Sequence, residues 1–446
     1  DAVSAISSCG GYGVYGATRR FPEEIRQELA IIRSKVGKKV FGVDLVLPPG
    51  MPEFNSRDEI EAEIPDAHKR FVEDLKKKYN VPDASEPGMR TRFIRSKEIE
   101  EQQLHAVLES DVDMLACGIG APPEVVAEAK RRGKLTLALI GSPHHVVKAL
   151  SAGVDVIVAQ GYDAGAHTGP IGTYSLVPQI VDLAGEIPVL VAGGVATGRH
   201  VAAALAMGAQ GVWLGTAWLF SSEHQSHLHS INTKKLIEAT SSDTVITKSE
   251  SGKPFRQVRS GWSQAWEDKN APEPLRMPLQ DVLVGDLLGA IEEHDVEPLI
   301  HSGAGQSVGY FDRVRPVAEI MDELVSDARD SHRNRVGPKY WDGSAGAIGG
   351  ANANAGLLCI VPGTGAVTAG NTITVNQREC ATGFAGGFFS VVLVSGEETD
   401  VSAAGGTVDP VLVSFVDGVG CAVSSGVTTA AFTELFLAPL PLTFCC

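Results

Sequence analysis

The stretch VDVIVAQGYDAGAHTG, residues 154–169, decides the fold class. Its first half is a short run of β-branched and apolar residues, as expected for a strand that is buried on both faces. The glycines that follow allow the backbone to approach a flat ligand closely. His167 then stands just beyond the carboxyl end of the strand. In parallel α/β folds this is where ligands bind, so the stretch predicts a strand that ends at a reactive site.

Six further runs along the chain have the same β-rich character. They cover residues 11–17, 39–47, 112–119, 135–140, 188–194 and 211–216. Helical stretches separate the runs, and this alternation favours parallel strands joined by crossover helices. Seven such strands could form an open doubly wound sheet. Their repeated endings in glycine or other small residues suit loops that converge on one barrel mouth, so the expected fold class is α/β, a (β/α)8 barrel.

The start of the chain predicts a helix ahead of the first visible strand. Residues 1–11, DAVSAISSCGG, are typical of the end of a helix followed by its glycine cap. A barrel of this type has eight strands, so we expect the first strand to be missing from this chain. The barrel would then keep a gap or close with a substitute strand.

Two insertions are expected within a barrel domain that covers residues 1–335. The first, residues 48–110, holds a turn-rich start and a charged amphipathic helix around residues 61–79. The second, residues 221–300, follows the last strand and lies beside the barrel mouth. We therefore expect it to form a lid or pocket wall.

The second insertion contains two tryptophans, Trp262 and Trp266. Large aromatic residues mostly supply core area, so packing against the outside of the barrel is an equal alternative for them.

The tail, residues 336–446, differs abruptly from the barrel domain. It is rich in glycine, alanine, valine and threonine, and it shows no helical periodicity. Some fragments could form strands. A small β module, a disordered extension and an erroneously translated stretch are all compatible with this composition, and no catalytic motif occurs there.

Charge and apolar patterning restrict the partners. The net charge of −16 repels phosphate backbones and anionic lipids, so we expect neither nucleic acid nor membrane as a partner. Residues 201–220 carry no charge, but Gly208 and Gly211 divide them into a helix and a buried strand. The chain shows no secretory signal, so the expected location is cytoplasmic. The cysteines of the barrel domain show no spacing that predicts a metal site.

Two strand endings predict a phosphate site. VAGG, residues 191–194, and LGT, residues 214–216, close the last two strands. In a barrel these loops commonly hold phosphate with backbone N–H groups, aided by the N-terminus of a short helix. A glycine pair alone can be a tight turn, but two such endings in order after the strand that carries His167 are a stronger signal.

These segments resemble the nitronate monooxygenase family, once called 2-nitropropane dioxygenases, among the FMN-dependent barrels. The resemblance covers roughly residues 1–330 and rests on GGYGVYGA, FGVDL, the histidine segment, VAGGVATG, LGTAWLFSSE, SGKPFRQVRSGW, MPLQ and AGQSVG. It implies FMN as cofactor and an enzyme that oxidises alkyl nitronates, or nitroalkanes, with O2 to a carbonyl compound and nitrite.

The resemblance also implies roles for single residues. His167 would remove the α-proton of a neutral nitroalkane or position an anionic nitronate, because a neutral imidazole accepts a proton and its cation holds an anion. Gln160 would contact the flavin ring, and Gly165 would lie under it. The residues implied to hold the ribityl phosphate are Gly193, Gly194, Trp213, Leu214, Gly215 and Thr216.

Three features depart from the family pattern. Asp44 stands where many relatives have asparagine, and its carboxyl would either contact the flavin or hydrogen-bond to a loop. An ionised carboxylate at the flavin would disfavour an anionic reduced ring. The usual Gly-Gly-His is Gly165-Ala166-His167 here, and alanine would be strained if its site needs a positive φ. The Pro-Met segment that the first strand normally brings to the flavin is absent, and its loss could abolish activity.

Two other functions stay open at this stage. An FMN-dependent enoyl reductase of fatty-acid synthesis shares the arrangement of glycines and histidine at the strand ends, but it needs a nicotinamide donor. An inactive flavin-binding fragment would need no substrate at all. For an active enzyme we expect a small nitro compound and O2 as partners, and we leave a homodimer open.

Overall fold

The computed structural model describes residues 1–48, 56–225, 230–335 and 357–359. Its strands are β1 (Gly13–Gly16), β2 (Phe41–Leu45), β3 (Met114–Cys117), β4 (Leu135–Ile140), β5 (Val156–Gln160), β6 (Ala166–His167), β7 (Val189–Ala192), β8 (Gly211–Trp213), β9 (Thr244–Thr247), β10 (Phe255–Val258) and β11 (Leu357–Cys359).

The helices surround and extend this strand framework. They are α1 (Ala2–Ser8), α2 (Pro22–Val36), α3 (Arg57–Glu63), α4 (Asp66–Lys78), α5 (Lys97–Glu109), α6 (Pro123–Arg131), α7 (Val146–Ala152), α8 (Thr173–Ala184), α9 (Gly198–Ala206), α10 (Ser222–Gln225), α11 (Ser230–Glu238), α12 (Gly261–Glu267), α13 (Leu279–Glu293) and α14 (Val317–Arg335). Short 3-10 helices cover Pro143–His145, Thr216–Phe220, Ser241–Asp243 and Gln306–Tyr310.

Seven strands form one parallel sheet in the order β1, β2, β3, β4, β5, β7, β8. They are the seven strands that the sequence predicts, so this prediction is confirmed, as is the helix ahead of β1. The short strand β11 adds to β8 in antiparallel orientation. The sheet curls into a TIM-barrel-like fold. Because none of the described strands bridges β1 to β11, the fold is open at this edge.

Apolar side chains cover both faces of the sheet. The cluster on the inner face includes Val14 of β1, Leu137 of β4 and Trp213 of β8. The largest cluster packs helices against the outer face, for example Leu176 of α8 against the strands. Strands covered on both faces must be apolar at nearly every position, which explains the continuous apolar runs in the sequence.

The first insertion contains three helices, and two of them, α3 and α4, lie where the sequence predicts one. α3 ends at Glu63 and α4 begins at Asp66, with Pro65 between them. Proline lacks an N–H group and disfavours helical backbone in the residue before it. Ile64 accordingly adopts an extended conformation, and the prediction of a single helix over residues 61–79 is wrong.

The two insertions meet in an apolar cluster of their own. Leu75 of α4 packs in the same cluster as Trp262 and Trp266 of α12 and Leu287 of α13. The two tryptophan rings are 5.9 Å apart, and Trp262 is fully buried. We use the name cap for α3, α4, β9, β10, α12 and α13 together with the loops that join and follow them, as far as residue 301. The tryptophans thus form the core of the cap.

The uncharged stretch 201–220 contains the end of α9, strand β8 and a 3-10 helix, in agreement with the predicted helix and strand. Within the four described ranges, no helix is both long and apolar enough to cross a membrane. The tail lies outside the described residues apart from 357–359, so its role stays a prediction.

Candidate active site

A cavity of about 600 Å³ lies at the carboxyl ends of the barrel strands. Its walls come from β2, from the loops after β5, β7 and β8, and from the cap. All ten residues that the sequence singles out line it: His167, Asp44, Gln160, Gly165, Gly193, Gly194, Trp213, Leu214, Gly215 and Thr216. Parallel strands of a barrel end at one mouth, which explains why residues far apart in the chain meet here.

His167 lies on a short strand outside the barrel sheet. Its strand, β6, pairs antiparallel with β10, and β10 pairs with β9. Gln160, at the end of β5, donates a hydrogen bond from Nε2 to the carbonyl oxygen of His167 at 2.6 Å. The barrel and the cap therefore both fix the backbone of His167.

Ala166, the residue before His167, has a φ of +57°. The left-handed region brings Cβ close to a backbone oxygen and costs an L-residue about 1 to 2 kcal/mol. The sequence predicts strain at this position only if its φ is positive, and the structure shows that it is. The strain is held beside the proposed reacting centre, where such strain is commonly found in enzymes.

The imidazole of His167 contacts two cap residues. Its Nε2 shares a hydrogen bond of 2.7 Å with Oγ of the fully buried Ser251. Its ring meets that of Phe255 edge to face, with 5.2 Å between centroids. Burial, and then the nearby charge of Arg90, lowers the pKa of His167 to about 4. The imidazole is therefore uncharged at neutral pH.

Charged side chains form a network in the cap wall of the cavity. Arg90 donates from Nη2 to Glu250 at 2.6 Å and from Nη1 to Asp281 at 2.9 Å. Glu250 also bonds to Nε2 of His301, and Arg19 donates to Asp281 at 3.1 Å. Each carboxylate in this network thus has two cationic or hydrogen-bonding partners.

The network sets the charge states of its members. Burial raises the pKa of Glu250, but Arg90 and His301 outweigh it and lower the pKa to about 2. Burial lowers the pKa of His301, and the charge and hydrogen bond of Glu250 outweigh it and raise the pKa above its usual value. Removing one partner of a buried ion pair of this kind strongly destabilises the folded protein, because the other charge stays buried without compensation.

Two glycine-containing strand ends meet at the cavity, as the predicted phosphate site requires. Gly193 and Gly194 have φ values of +92° and +81°. A Cβ on Gly193 would lie 2.8 Å from the backbone nitrogen of Ala164, so a larger residue does not fit. The 3-10 helix Thr216–Phe220 follows β8. Its first N–H groups have no partner within the helix and suit an anion.

Gly165 faces the cavity, and the structure shows a further reason for glycine at this position. A Cβ there would lie 2.6 Å from the backbone of Ala304 and Gly305. The side chain of Thr216 anchors the same loop, since its Oγ1 accepts a hydrogen bond from the backbone nitrogen of Gly305 at 2.9 Å. Close packing of this loop therefore requires Gly165, whatever the cavity binds.

Asp44 is the acidic residue in the barrel wall of the cavity. It is the next-to-last residue of β2, is 5% exposed, and its Oδ1 has no hydrogen-bond partner among the described residues. Burial raises the pKa of Asp44 to about 7. Within those residues no loop group donates a hydrogen bond to Oδ1 of this carboxyl.

Sequence reasoning did not assign roles to Arg90, Glu250, Ser251 and His301. Ser251 opens the motif SGKPFRQVRSGW, which carried part of the resemblance but gave no residue roles. Arg90 and Glu250 are 160 positions apart in the chain, and local patterns do not reveal such a pairing. The sequence did offer one signal for Glu250 and Ser251: the polar residues Ser249 to Ser251 stand shortly before a buried strand of the second insertion.

The cavity residues fit a planar cofactor that carries a phosphate. Glycines at the strand ends leave room for a flat group, two strand ends offer backbone amides, and a buried carboxyl oxygen lacks a partner. The volume lies within the usual range for ligand pockets. Fold and site together define a cofactor-dependent barrel enzyme.

Comparison with known sequences identifies the family. The nitronate monooxygenase family matches residues 1–327. A protein of Mycobacterium tuberculosis named as a monooxygenase is 38% identical over 346 residues, which cover 74% of this chain and 92% of the relative. A protein of Staphylococcus aureus named as a nitronate monooxygenase is 30% identical over 341 residues, covering 73% and 89%. The chain belongs to the nitronate monooxygenase family and is a flavin-dependent oxidoreductase.

Solved structures support the fold. Nitroalkane oxidase from Streptomyces ansochromogenes aligns with a TM-score of 0.63 at 24% identity, covering 75% of this chain and 92% of that chain. FabK from Thermotoga maritima aligns with a TM-score of 0.58 at 25% identity, covering 75% and 90%. The predicted barrel fold is thereby confirmed.

Proposed function

We propose that the chain binds FMN and oxidises alkyl nitronates with O2 to carbonyl compounds and nitrite. The observation that carries this proposal is the uncharged imidazole of His167 in the wall of a cavity that fits a flavin. When bound, FMN supplies the redox chemistry that side chains cannot provide. Two nitronate anions and one O2 yield two carbonyl compounds and two nitrite ions, so atoms and charge balance.

The low pKa of His167 favours nitronates over neutral nitroalkanes. A general base works best when its pKa lies near the operating pH, and about 4 is well below that. Such an imidazole is a weak base for removing a proton from carbon. A nitronate has already lost this proton, so it requires binding and orientation only.

Ser251 would set the orientation and tautomer of His167. A neutral imidazole has one N–H group, so its two nitrogens take different roles. If Ser251 Oγ donates to Nε2, the proton lies on Nδ1. His167 can then donate a hydrogen bond from Nδ1 to an oxygen of the nitronate.

Lys253 would attract the anionic substrate. It lines the cavity, and no acidic partner for it is found among the described residues. Arg90 is positively charged as well, but Glu250 and Asp281 offset its charge. A lysine without a competing carboxylate is the stronger candidate for contact with a nitronate.

The cofactor contacts follow the strand ends. We propose that the backbone at Gly193, Gly194 and Trp213 to Thr216 holds the FMN phosphate, with Gln160 and Gly165 at the ring. Their common position on the cavity and the glycine turn support these assignments. We further propose residues 1–335 as the FMN-binding domain and assign no role to the tail, residues 336–446.

The direct test is turnover with a propyl nitronate in air. We expect O2 uptake and nitrite release in a ratio of about one to two after FMN is added to the purified chain. A His167→Ala variant serves as control. No O2 uptake by a chain that retains FMN would contradict the proposal.

The second candidate is an FMN-dependent enoyl reductase. The likeness to FabK, at 25% identity, gives it weight. A reductase requires a nicotinamide donor to reduce the flavin, whereas nitronate oxidation does not. Oxidation of a nicotinamide donor with an enoyl thioester, together with no nitronate turnover, would favour this candidate.

A further inference from the structure

We propose that the carboxyl of Asp44 contacts the flavin when the carboxyl is protonated and uncharged. Flavin affinity then depends on the protonation of this one carboxyl. The inference rests on the flavin site proposed above and concerns a single carboxyl in the barrel wall of the cavity. It makes cofactor binding sensitive to pH near neutrality, independently of the substrate.

The position of Asp44 supports a contact with the cofactor. Asp44 pairs in register with Gly16 of β1 and Ala116 of β3, so its side chain shares a face with small residues. A Cβ on Gly118 would lie 3.2 Å from Oδ1 and 3.4 Å from Oδ2, so a side chain at this position would crowd the carboxyl. The carboxyl lines the cavity, and its buried Oδ1 has no partner within the described residues.

The surroundings of Asp44 favour the uncharged carboxyl. Burial is the cause that raises the pKa of Asp44 to about 7. On β3, burial and then Asp44 raise the pKa of Cys117 to about 12, so this thiol is uncharged. On β1, burial raises the pKa of Tyr15 to about 12. Arg19, Arg20 and Arg95 line the same cavity, but they do not offset the burial of Asp44.

The chemistry of a flavin edge requires a donor at part of its rim. Its two carbonyl oxygens and its ring nitrogens that carry no hydrogen accept hydrogen bonds, and a protonated carboxyl donates one. Facing one of these acceptors, an ionised carboxylate finds no donor on the ring and remains a buried charge without a partner. Raising the pH through the pKa of Asp44 therefore removes a favourable contact and adds an unfavourable one.

The direction of the pH effect follows from linkage. Only the protonated carboxyl of Asp44 donates to the flavin, so flavin binds most tightly at low pH, and its affinity falls as the pH rises through the pKa of the flavin-free protein, about 7. Each pH unit above that value weakens binding by up to tenfold for one proton. Between about pH 6 and about pH 8.5 we expect the Kd for flavin to rise about 30-fold.

The experiment measures flavin binding, not turnover. FMN and riboflavin are titrated into the apoprotein at several pH values, and quenching of flavin fluorescence gives Kd. Riboflavin has no phosphate, so its pH dependence reports the ring alone. Asp44→Asn is the matched control, since its amide can donate at every pH, and we expect its Kd for riboflavin to be flat over the same range.

The outcomes separate this inference from the proposed reaction. A rise in Kd for the wild type that Asp44→Asn abolishes supports the inference, even if no nitronate is oxidised. Equal pH profiles for the wild type and Asp44→Asn would overturn it, even if nitronate turnover is fast. Failure of both proteins to bind flavin at any pH would overturn it as well.

Discussion

Two buried carboxyls in the walls of one cavity differ in their charge state. Asp44, in the barrel wall, is 5% exposed and has a pKa raised to about 7. Glu250, in the cap wall, is 4% exposed and has a pKa lowered to about 2. Burial raises the pKa of both, so the difference comes from partners: the carboxylate of Glu250 has Arg90 and His301, whereas Oδ1 of Asp44 has no hydrogen-bond partner within the described residues. Partners, rather than depth, decide where the site is charged.

The largest effect is expected from removing the main partner of Glu250. Arg90→Met leaves Glu250 and Asp281 buried without their shared cation. We expect the free energy of unfolding, from urea denaturation at neutral pH, to fall by about 3 to 5 kcal/mol.

The control for this change is a solvent-exposed pair. Arg26→Met removes an ion pair of 3.5 Å with Glu23, and we expect a loss below about 1 kcal/mol. If Arg90→Met lowered the free energy of unfolding as little as Arg26→Met does, the charge network in the cap wall would not stabilise the fold.

The next effect concerns His167 beside this network. His167→Ala should lower any residual turnover of a neutral nitroalkane about 100-fold, because general-base assistance is lost. With a nitronate the loss should be about tenfold, since a single hydrogen bond to a charged group is lost. His167→Asn should restore nitronate turnover but not nitroalkane turnover, because an amide donates but is no base.

Steady-state kinetics on the two substrates, with flavin content measured in parallel, test this split. Equal losses on both substrates in both variants would show that His167 acts through structure and not through its nitrogen atoms.

A smaller effect is expected from Lys253, whose charge is not offset. Lys253→Met should raise KM for a nitronate about fivefold and change kcat little, because one partly screened charge contact is lost. Lys248→Met is the matched control, since Lys248 is exposed and does not line the cavity. Unchanged KM in Lys253→Met would place the substrate away from this lysine.

The smallest effect is expected at Ala166. Ala166→Gly should relieve the positive φ of +57° and raise the free energy of unfolding by up to about 1 kcal/mol, partly offset by chain entropy. Urea denaturation of the apoprotein provides the measurement. A lower stability would show that the alanine methyl group packs well enough to outweigh the strain.

The sequence revealed the barrel wall better than the cap wall. Strands such as residues 135–140 were predictable because a strand covered on both faces is apolar throughout, and His167 because it follows such a strand. The sequence predicted strain at Ala166 only for a positive φ, and the sign of φ could be learned only from the structure.

The cap wall depends on contacts between distant segments. The helix break at Pro65 carried a local signal, and the single-helix prediction overlooked it. No local signal links Arg90 to Glu250, because their pairing follows from the packing of two insertions. The raised pKa of Asp44 likewise depends on which neighbours are absent from its surroundings, which a sequence does not show.

The most direct test of the central claim is anaerobic mixing of the FMN-reconstituted chain with a propyl nitronate while the flavin absorbance is followed. The same mixing is repeated with a nicotinamide donor in place of the nitronate. We predict that the nitronate bleaches the flavin and that the nicotinamide donor does not. Bleaching by the nicotinamide donor alone would contradict the account and favour the reductase.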